Sequence, residues 1–346
     1  MNRFLTTLAY DDVLLVPQYS DIRSRSEIDL TTDLGKGVVL KMPIIASPMD
    51  TISEAEMAVA MHKAGGCAIL HRYNTLKKQE KMLVKALSIE PNATIGVAIG
   101  VTGDFIERAV SAKSIGAKFI CVDIAHGHHI LMKEALYTLR KQLGDDYHIM
   151  AGNVATLNGI NDLSDWGADS ARANIGGGAI CSTRREAAAG IPGLQTLLEC
   201  SKTDRDITII ADGGIKNSGD IVKALAAGAD AIMCGSLIAG TIETPGDTFR
   251  DPNGFVWKDY RGMASKEAQN KWKGNYSSLE GISARVAARG NVSEVLVDVV
   301  RGIRSGLSYT GARNIAELQN KAIFVIQTPS GLGESQPHIR NIEKNQ

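Results

Sequence analysis

The sequence has no uninterrupted apolar run of the length that a bilayer-spanning helix needs, which is about 18–20 residues. Residues 1–17 contain the acidic Asp11 and Asp12 and no apolar block before a small-residue cleavage site, which argues against a secretory signal. The five cysteines form no CxxC pair, so neither a disulfide framework nor a zinc site is expected. These absences predict a cytoplasmic protein that does not enter the membrane.

Net charge is missing too, because 38 Lys and Arg residues balance 38 Asp and Glu residues. Without a basic field, neither nucleic acid nor an anionic membrane is an expected partner, and local groups must hold any phosphorylated ligand.

Two nucleotide-binding signatures are also absent from the sequence. No G-x-G-x-x-G follows a first strand and no Walker A sequence occurs, so a Rossmann domain and a P-loop are not supported.

Short apolar, β-branched runs alternate with longer amphipathic patterns along the chain, which indicates repeated βα units and a parallel sheet. Eight strands are predicted, at residues 43–47, 67–71, 94–100, 118–123, 148–153, 170–174, 208–212 and 231–235. Helices are predicted between them, for example at 53–63, 104–114, 130–142 and 218–227. Eight strands favour an α/β fold of the (β/α)8 TIM barrel type over an open sheet, with residues 1–346 as a single domain.

The pattern breaks after the eighth strand. Residues 245–290 are rich in Gly, Lys, Asn and Ser, have weak periodicity, and are too long for a simple connection. They are interpreted as either a disordered insertion or a mobile flap over an active site. A final helix is predicted at 292–305, followed by a tail at about 327–346.

Polar residues cluster at the predicted carboxyl ends of the strands, the face on which barrel enzymes place their chemistry. Each of them alone is as well explained as a loop cap, but their shared position at one end favours an active site. They are Ser47, His71, Asp123, Asn153, Asp212 and Ser236.

The loop at residues 175–184 (IGGGAICSTR) is the most informative segment of the chain. Its glycines let the backbone approach a ligand closely, and they place the Cys181 thiol on a loop at the catalytic face. The neighbouring Arg184 and Arg185 are expected to favour the nucleophilic thiolate. The alternative for Cys181 is a buried core cysteine, which is the preferred interpretation for Cys67 and the other cysteines.

Two further glycine-containing motifs, residues 211–215 (ADGGI) and 234–236 (CGS), end the last two strands. Loops at these positions of a barrel commonly bind phosphate through backbone N–H groups, and Asp212 suits a pair of ribose hydroxyls. Ordinary turn chemistry at Gly213, Gly214 and Gly235 is the alternative. The histidines at 126, 128 and 129 could suggest a metal cluster, but a polar loop is preferred because partner ligands at matching spacing are missing.

Together these motifs resemble the inosine monophosphate dehydrogenase/guanosine monophosphate reductase family. The likeness extends over nearly the whole chain. It is carried by residues 10–17 (YDDVLLVP), 47–51 (SPMDT), 123–127 (DIAHG), 151–154 (AGNV), the Cys181 loop, 211–214 (ADGG), 234–236 (CGS), 260–263 (YRGM) and 280–281 (EG).

The resemblance implies a homotetrameric barrel enzyme in which Cys181 attacks C2 of a purine nucleoside monophosphate, while Thr183 and Glu280 handle proton transfer. It implies that the substrate is bound by Ser47, Met49, Asp212, Gly213, Gly214, Gly235, Ser236, Tyr260, Gly262, Met263 and Ala264. The nicotinamide cofactor is expected near Asp123, Asn153, Gly176 and Gly178. A monovalent cation, K⁺, is expected on Gly176, Gly178 and Cys181.

Within the family, the sequence looks most like a GMP reductase that uses NADPH to deaminate GMP to IMP and ammonia. Only about two dozen residues separate His71 from Thr94, so the regulatory tandem domain of many dehydrogenases is absent, and residues 272–280 lack the Arg-Tyr pair that dehydrogenases use to activate water. The tail at 330–338 is instead dehydrogenase-like, which keeps open an IMP dehydrogenase that oxidises IMP to XMP with NAD and K⁺.

Three positions depart from the family pattern. Arg172 replaces a common lysine, Asn174 a common glycine, and Ala179 a phosphate-binding serine. They motivate a third alternative, a non-catalytic nucleotide-binding regulator, against which the intact Cys181 and Glu280 argue.

Overall fold

The computed structural model describes residues 4–277 and 279–335. Within these residues the strands are β1 (Val13–Leu15), β2 (Thr32–Asp33), β3 (Val39–Leu40), β4 (Ile44–Ala46), β5 (Cys67–Leu70), β6 (Ile95–Ile99), β7 (Phe119–Asp123), β8 (His148–Val154), β9 (Ser170–Ala173), β10 (Thr208–Asp212), β11 (Ala231–Cys234), β12 (Thr248–Arg250), β13 (Val256–Arg261), β14 (Ser283–Ala287) and β15 (Phe324–Ile326).

The helices follow the strands in alternation over most of the chain. They are α1 (Ala55–Lys63), α2 (Leu76–Ile89), α3 (Phe105–Ile115), α4 (Ile130–Leu143), α5 (Leu157–Asp165), α6 (Thr183–Glu186), α7 (Gly193–Cys200), α8 (Ser218–Ala226), α9 (Lys266–Lys273), α10 (Val292–Thr310), α11 (Ile315–Lys321) and α12 (Pro329–Glu334), with short 3₁₀ turns at Tyr10–Asp12 and Arg25–Glu27. None of the helices in the described residues is both long and apolar enough to cross a membrane.

Strands β4 to β11 form a closed parallel barrel in chain order, with β11 pairing back onto β4 through Met233 and Ile45. The predicted α/β fold of the TIM barrel type is therefore confirmed. Glycine ends several of the crossover helices where the prediction places Gly-Ala pairs. Gly116, Gly167 and Gly228 all have φ between +102° and +120°, a range that favours glycine. Only α2 lies between β5 and β6, so no regulatory domain is inserted there.

Residues that alternate along the strands point into the barrel, while their neighbours pack against the helices. The inward set includes Ile69, Phe119, Met150, Ile210 and Met233, all essentially unexposed. Together with residues of the hairpin formed by β2 and β3, it fills the barrel and closes its amino-terminal end. These side chains are Leu34, Val38 and Leu40.

Regular secondary structure in the segment at 245–290 rules out the disordered insertion and leaves the flap of the two interpretations. Strands β12, β13 and β14 form an antiparallel sheet in it, and α9 lies between β13 and β14. Ser265 caps α9 by accepting the N–H of Ala268 at 3.2 Å. The final predicted helix corresponds to α10, and the chain then returns to pair β15 with β1. Of the predicted tail, residues 336–346 lie outside the described part.

Candidate active site

A cleft of about 520 Å³ opens at the carboxyl ends of the barrel strands, beneath the sheet of β12–β14. Of the six polar residues predicted at the strand ends, His71 does not line this cleft, because its ring is buried and lies 3.2 Å from Glu54. Every site residue that the resemblance implies does line it. The set comprises Ser47, Met49, Asp123, Asn153, Gly176, Gly178, Cys181, Thr183, Asp212, Gly213, Gly214, Gly235, Ser236, Tyr260, Gly262, Met263, Ala264 and Glu280. Residues from distant parts of the chain thus meet in one space large enough for a nucleotide.

Cys181 is exposed, whereas the other four cysteines are buried, as predicted. Its Sγ lies 3.1 Å from Oγ1 of Thr183. Backbone pairing joins the cysteine loop to the segment that carries Glu280. Ser182 N donates to Glu280 O at 3.1 Å, and Cys181 forms an antiparallel bridge with Gly281. The thiol, a hydroxyl and a carboxylate-bearing residue are therefore held on two paired segments.

The two arginines beside the cysteine do not act as its hydrogen-bond partners. Arg184 donates to the carbonyl oxygens of Ile175 and Ile191 and, at 2.9 Å, to Oδ1 of Asn174. Arg185 pairs with its neighbour Glu186. Burial lowers the pKa of Arg184, and a Coulombic interaction with Cys181 opposes this shift. Arg184 therefore interacts with the thiol only through its charge. Its hydrogen bonds to Ile175 and Ile191 connect the start of the cysteine loop to the segment that follows α6.

A chain of ion pairs crosses the mouth of the barrel, and its central member is Arg172. This guanidinium donates through Nη1 to Oδ1 of Asp123 and through Nη2, at 2.8 Å, to Oδ2 of Asp212. Asp123 also accepts from Arg72 at 3.4 Å, and Asp212 accepts from Asn153 Nδ2 at 2.7 Å. Burial alone would raise the pKa of Asp123, but Arg172 and Arg72 outweigh it, so the pKa lies below its usual value. Asp123 is thus held ionised.

The predicted phosphate region contains backbone rather than basic side chains. Gly213 and Gly214 have φ of +85° and +79°, and a Cβ on Gly213 would lie 2.9 Å from the amide nitrogen of Gly178. A Cβ on Gly235 would lie 2.8 Å from the hydroxyl oxygen of Tyr260. A side chain at either position would collide with the neighbouring group, so both positions favour glycine. Phosphate binding by the backbone at these turns stays a prediction.

The loop after β4 and the flap strand β13 are fastened to each other on the opposite wall. Asp50 forms an ion pair with Arg261, and the backbone N–H of Asp50 donates to Sδ of Met263 at 3.4 Å. Thr51 Oγ1 accepts the N–H of Arg261 at 3.3 Å. This pairing keeps Met49 and Met263 in the same lining.

Asn174, one of the three departures, is built into the site. It has a φ of +138° and is buried. Its Nδ2 donates to Gly213 O at 3.2 Å, its Oδ1 accepts from Arg184, and its backbone oxygen accepts from Asn153 at 2.9 Å. The carboxamide therefore joins the cysteine loop to the glycine turn after β10, a contact that glycine could not make.

The predicted cation site would use backbone carbonyl oxygens of the cysteine loop. Of the three predicted backbone ligands, the carbonyl oxygen of Gly178 accepts the N–H of Cys181 at 3.0 Å and is directed there. Among the described residues, no group of three or more His, Cys, Asp or Glu side chains could hold a metal ion. Instead, Oδ2 of Asp162 accepts from Nε2 of His128 at 2.6 Å, and Nδ1 of His129 caps α4 by accepting the N–H of Leu131 at 3.1 Å. The potassium site therefore stays a prediction.

Several lining residues were missed as site residues from the sequence. Arg72 and Tyr73 follow β5, and Tyr73 donates to Asp123 at 3.3 Å. The Tyr73 ring packs edge-on against Trp272 of α9, with centroids 5.4 Å apart. Among the described residues Trp272 Nε1 is buried without a hydrogen-bond partner. The position of Arg72 beyond a barrel strand was an available signal, whereas nothing in the periodicity of α9 marked Trp272.

Comparison with known proteins identifies the family. The profile of the IMP dehydrogenase / GMP reductase domain matches residues 7–338. The chain is 35% identical to the inosine-5'-monophosphate dehydrogenase of Cryptosporidium parvum, over 97% of this chain and 95% of the relative. It is 30% identical to the GMP reductase of Leishmania major, over 96% of each.

Solved structures of a GMP reductase and of an IMP dehydrogenase both resemble this chain. GMP reductase from Trypanosoma brucei, crystallised in complex with guanosine 5'-monophosphate, superposes with a TM-score of 0.91 at 29% identity, covering 98% of this chain and 99% of that one. Inosine 5'-monophosphate dehydrogenase from Legionella pneumophila gives 0.84 at 42% identity, covering 94% and 100%. The chain therefore belongs to the IMP dehydrogenase / GMP reductase family of oxidoreductases.

Proposed function

We propose that this protein is a GMP reductase, which converts GMP, a reduced nicotinamide dinucleotide and two protons to IMP, ammonium and the oxidised dinucleotide. The observation that carries the proposal is the pairing of the Cys181 loop with the segment of Glu280, with Thr183 Oγ1 at 3.1 Å from the thiol. This arrangement supplies a nucleophile and proton-transfer groups on one face of the cleft. The likeness to the GMP complex of the T. brucei enzyme supports the choice of nucleotide.

In this mechanism the Cys181 thiolate adds to C2 of the guanine base and forms a C–S bond. Thr183 and Glu280 deliver a proton to the 2-amino group, the C2–N bond breaks, and ammonia leaves. The reduced nicotinamide ring, when bound, supplies the hydride that C2 receives. The C–S bond then breaks, the electron pair returns to sulfur, and IMP is released. The flap over the cleft excludes water, which would otherwise hydrolyse the covalent adduct.

The cleft divides into two regions in this proposal. Asp212 meets the ribose, and the backbone of Gly214, Gly235 and Ser236 meets the phosphate. The base lies against Ser47, Met49, Tyr260, Gly262, Met263 and Ala264. The dinucleotide lies beside Asp123 and Asn153, where the Tyr73–Trp272 pair provides aromatic surface. Nε1 of Trp272 is a donor without an acceptor among the described residues. NADPH is chosen over NADH by the family resemblance.

IMP dehydrogenase remains the second candidate because the Legionella dehydrogenase is 42% identical. That reaction requires water to cleave the adduct. The Arg-Tyr pair that supplies the base in this family is missing from residues 272–280. Lys273, which lines the cleft, or Tyr276 would have to replace it.

The test is the absorbance band of the reduced nicotinamide, followed with purified protein in two mixtures. GMP plus NADPH should consume the band and release IMP and ammonium, whereas IMP plus NAD and K⁺ should leave it absent. The appearance of the band and of XMP in the second mixture would contradict the reductase.

A Cys181→Ala protein separates an enzyme from a non-catalytic nucleotide-binding regulator. Because Cys181 is exposed, the substitution should leave the free energy of unfolding unchanged and lower turnover by about 1000-fold or more. GMP affinity should be retained. If the wild type binds GMP but shows no turnover in either mixture, the regulator is favoured instead.

The oligomeric state and the location are proposals of their own. Light scattering of the purified protein tests the proposed homotetramer, and fractionation of cells tests the proposed cytoplasmic location.

A further inference from the structure

Arg172 touches both carboxylates to which the proposed function assigns ligands. Its Nη1 donates to Oδ1 of Asp123, while its Nε and Nη2 donate to Oδ2 of Asp212 at 3.2 and 2.8 Å. A guanidinium is planar and offers its donors in a fixed fork, so it can bind two carboxylates at a defined separation. The distance between Asp123 and Asp212 is therefore set by one rigid group.

This connection is shielded from water, while its ends face the cleft. The side chain of Arg172 is 8% exposed, and those of Asp123 and Asp212 are 13% and 14% exposed. Beyond the connection, Arg72 and Tyr73 bind Asp123 on one side, and Asn153 binds Asp212 on the other. Charge interactions at such burial are weakly screened, so a displacement of one carboxylate is transmitted to the guanidinium.

The hydrogen bonds also divide the oxygens of Asp212. Arg172 and Asn153 both donate to Oδ2, so a ribose hydroxyl is directed to Oδ1, which these donors do not use. Nucleotide binding can then immobilise Asp212 without breaking its bond to Arg172. The position that Asp212 takes is then passed through the guanidinium to Asp123 before the second ligand arrives.

We infer that Arg172 is a positioning residue that couples the two ligand sites, so that binding of the nucleotide at Asp212 tightens binding of the dinucleotide at Asp123. The physical cause is the shared guanidinium: a nucleotide hydroxyl that sets the position of Asp212 also sets, through Arg172, the position of Asp123 that the dinucleotide meets. Because coupling free energies are reciprocal, the dinucleotide tightens nucleotide binding by the same factor. The inference rests on the proposed function, which assigns one ligand to each carboxylate.

Replacement by lysine is the most informative change at this position. Lysine keeps the positive charge that the two buried carboxylates need, so the fold is expected to survive. Its ammonium is a point charge without a planar fork and cannot fix the separation of Asp123 and Asp212. Lysine is also the common family residue implied by the resemblance, so R172K restores the usual residue.

The experiment uses calorimetry on full-length protein carrying Cys181→Ala, in which turnover is blocked. The dissociation constant of GMP is measured alone and with saturating NADPH, and that of NADPH is measured alone and with saturating GMP. We expect a coupling factor of about 5-fold or more, equal in both directions. Adding R172K should reduce this factor to about 2-fold or less. The KM for GMP in the wild-type enzyme should correspondingly fall as NADPH is raised, a readout that needs no variant.

Arg72→Lys is the matched control, since Arg72 hydrogen-bonds to Asp123 and is connected to Asp212 only through Asp123 and Arg172. It should weaken NADPH binding and leave the coupling factor as in the parent protein. An unchanged factor in R172K, or a factor near 1 in the parent protein that still binds both ligands, would overturn the inference and leave the proposed function intact. Failure of wild-type protein to bind GMP or NADPH would contradict the proposed function and, with it, the inference.

Discussion

The barrel strands run from an apolar floor to a charged mouth, and the two ends have different chemistry on the same strands. On β7, Phe119 is buried at the floor, and Asp123 lies in the cleft. On β9, Ser170 bonds to His148 at 2.8 Å near the floor, and Arg172 bridges two carboxylates at the mouth. The hairpin of β2 and β3 closes the first end, whereas the second end stays open.

This difference separates stability from function along a single strand. Burial of apolar surface at the floor is the main source of folding free energy. Buried ion pairs at the mouth gain little net stability because desolvation offsets their attraction, so their presence points to ligand binding. Substitutions at the floor should therefore change the free energy of unfolding, and substitutions at the mouth should change affinity and turnover.

The largest effect is expected for Phe119→Ala at the floor. The ring is fully buried, and it packs so closely on Gly96 that a Cβ there would lie 2.4 Å from it. Its removal should lower the free energy of unfolding by about 3–5 kcal/mol through lost burial and a new cavity, measured by urea denaturation. Phe255→Ala is the control, because that ring is 53% exposed in the flap and should cost about 0.5 kcal/mol or less. A loss of turnover in folded F119A protein without a loss of stability would break the comparison.

An intermediate effect is expected for Gly213→Ala at the mouth. The new Cβ would lie 2.9 Å from the amide nitrogen of Gly178 in the cysteine loop, and the φ of +85° is itself strained for alanine. We expect kcat/KM for GMP to fall by about 10- to 100-fold, as for other small displacements of catalytic groups. Gly246→Ala is the matched control, because its φ is +99° and nothing lies within 4 Å of its Cβ. It should show the backbone strain, of about 1–2 kcal/mol, without the kinetic defect. Equal kinetics in the two variants would contradict the role of Gly213.

The smallest effect concerns Asp230, which precedes β11 at the floor. Burial raises its pKa to about 6, although it accepts the N–H of Ile209 at 2.7 Å. In the native state this acid therefore binds a proton more tightly than in the unfolded chain, so its contribution to stability is lost as pH rises from about 4 through about 6. Asp230→Asn should add about 1–2 kcal/mol of stability at pH 8 and flatten this pH dependence, measured by thermal unfolding.

Asp169 is the control for the Asp230→Asn substitution. It precedes β9 and accepts the N–H of Ile149 at 2.8 Å, as Asp230 does for Ile209, but it is also paired with Arg140. Asp169→Asn should therefore lower stability at pH 8 because it leaves Arg140 without its carboxylate. If both substitutions lower the free energy of unfolding at pH 8, burial of the ionised Asp230 carboxylate does not destabilise the fold, and this prediction is wrong.

Periodicity was sufficient to predict the barrel strands almost to the residue. The predicted strand at 208–212 is observed as β10, Thr208–Asp212, and that at 67–71 as β5, Cys67–Leu70. These strands are buried on both faces, so their apolar runs are continuous and clear. The flap was not predicted as a sheet because β13 mixes Trp257, Lys258 and Asp259, and its partner β14 lies far along the chain. Antiparallel strands that are only partly buried have no continuous apolar run by which they could be recognised.

The sequence by itself determined the alternation that makes a parallel barrel, the end at which its polar residues gather, and the exposed loop of Cys181. Local patterns suffice there, because strand propensity, turn glycines and side-chain alternation act over a few residues. Only the tertiary structure decided that Arg172 meets Asp123 and Asp212, 49 and 40 residues away, and that the Glu280 segment pairs with the cysteine loop. Barrel closure and strand tilt set those distances, and no local pattern specifies which inward side chains then share a layer.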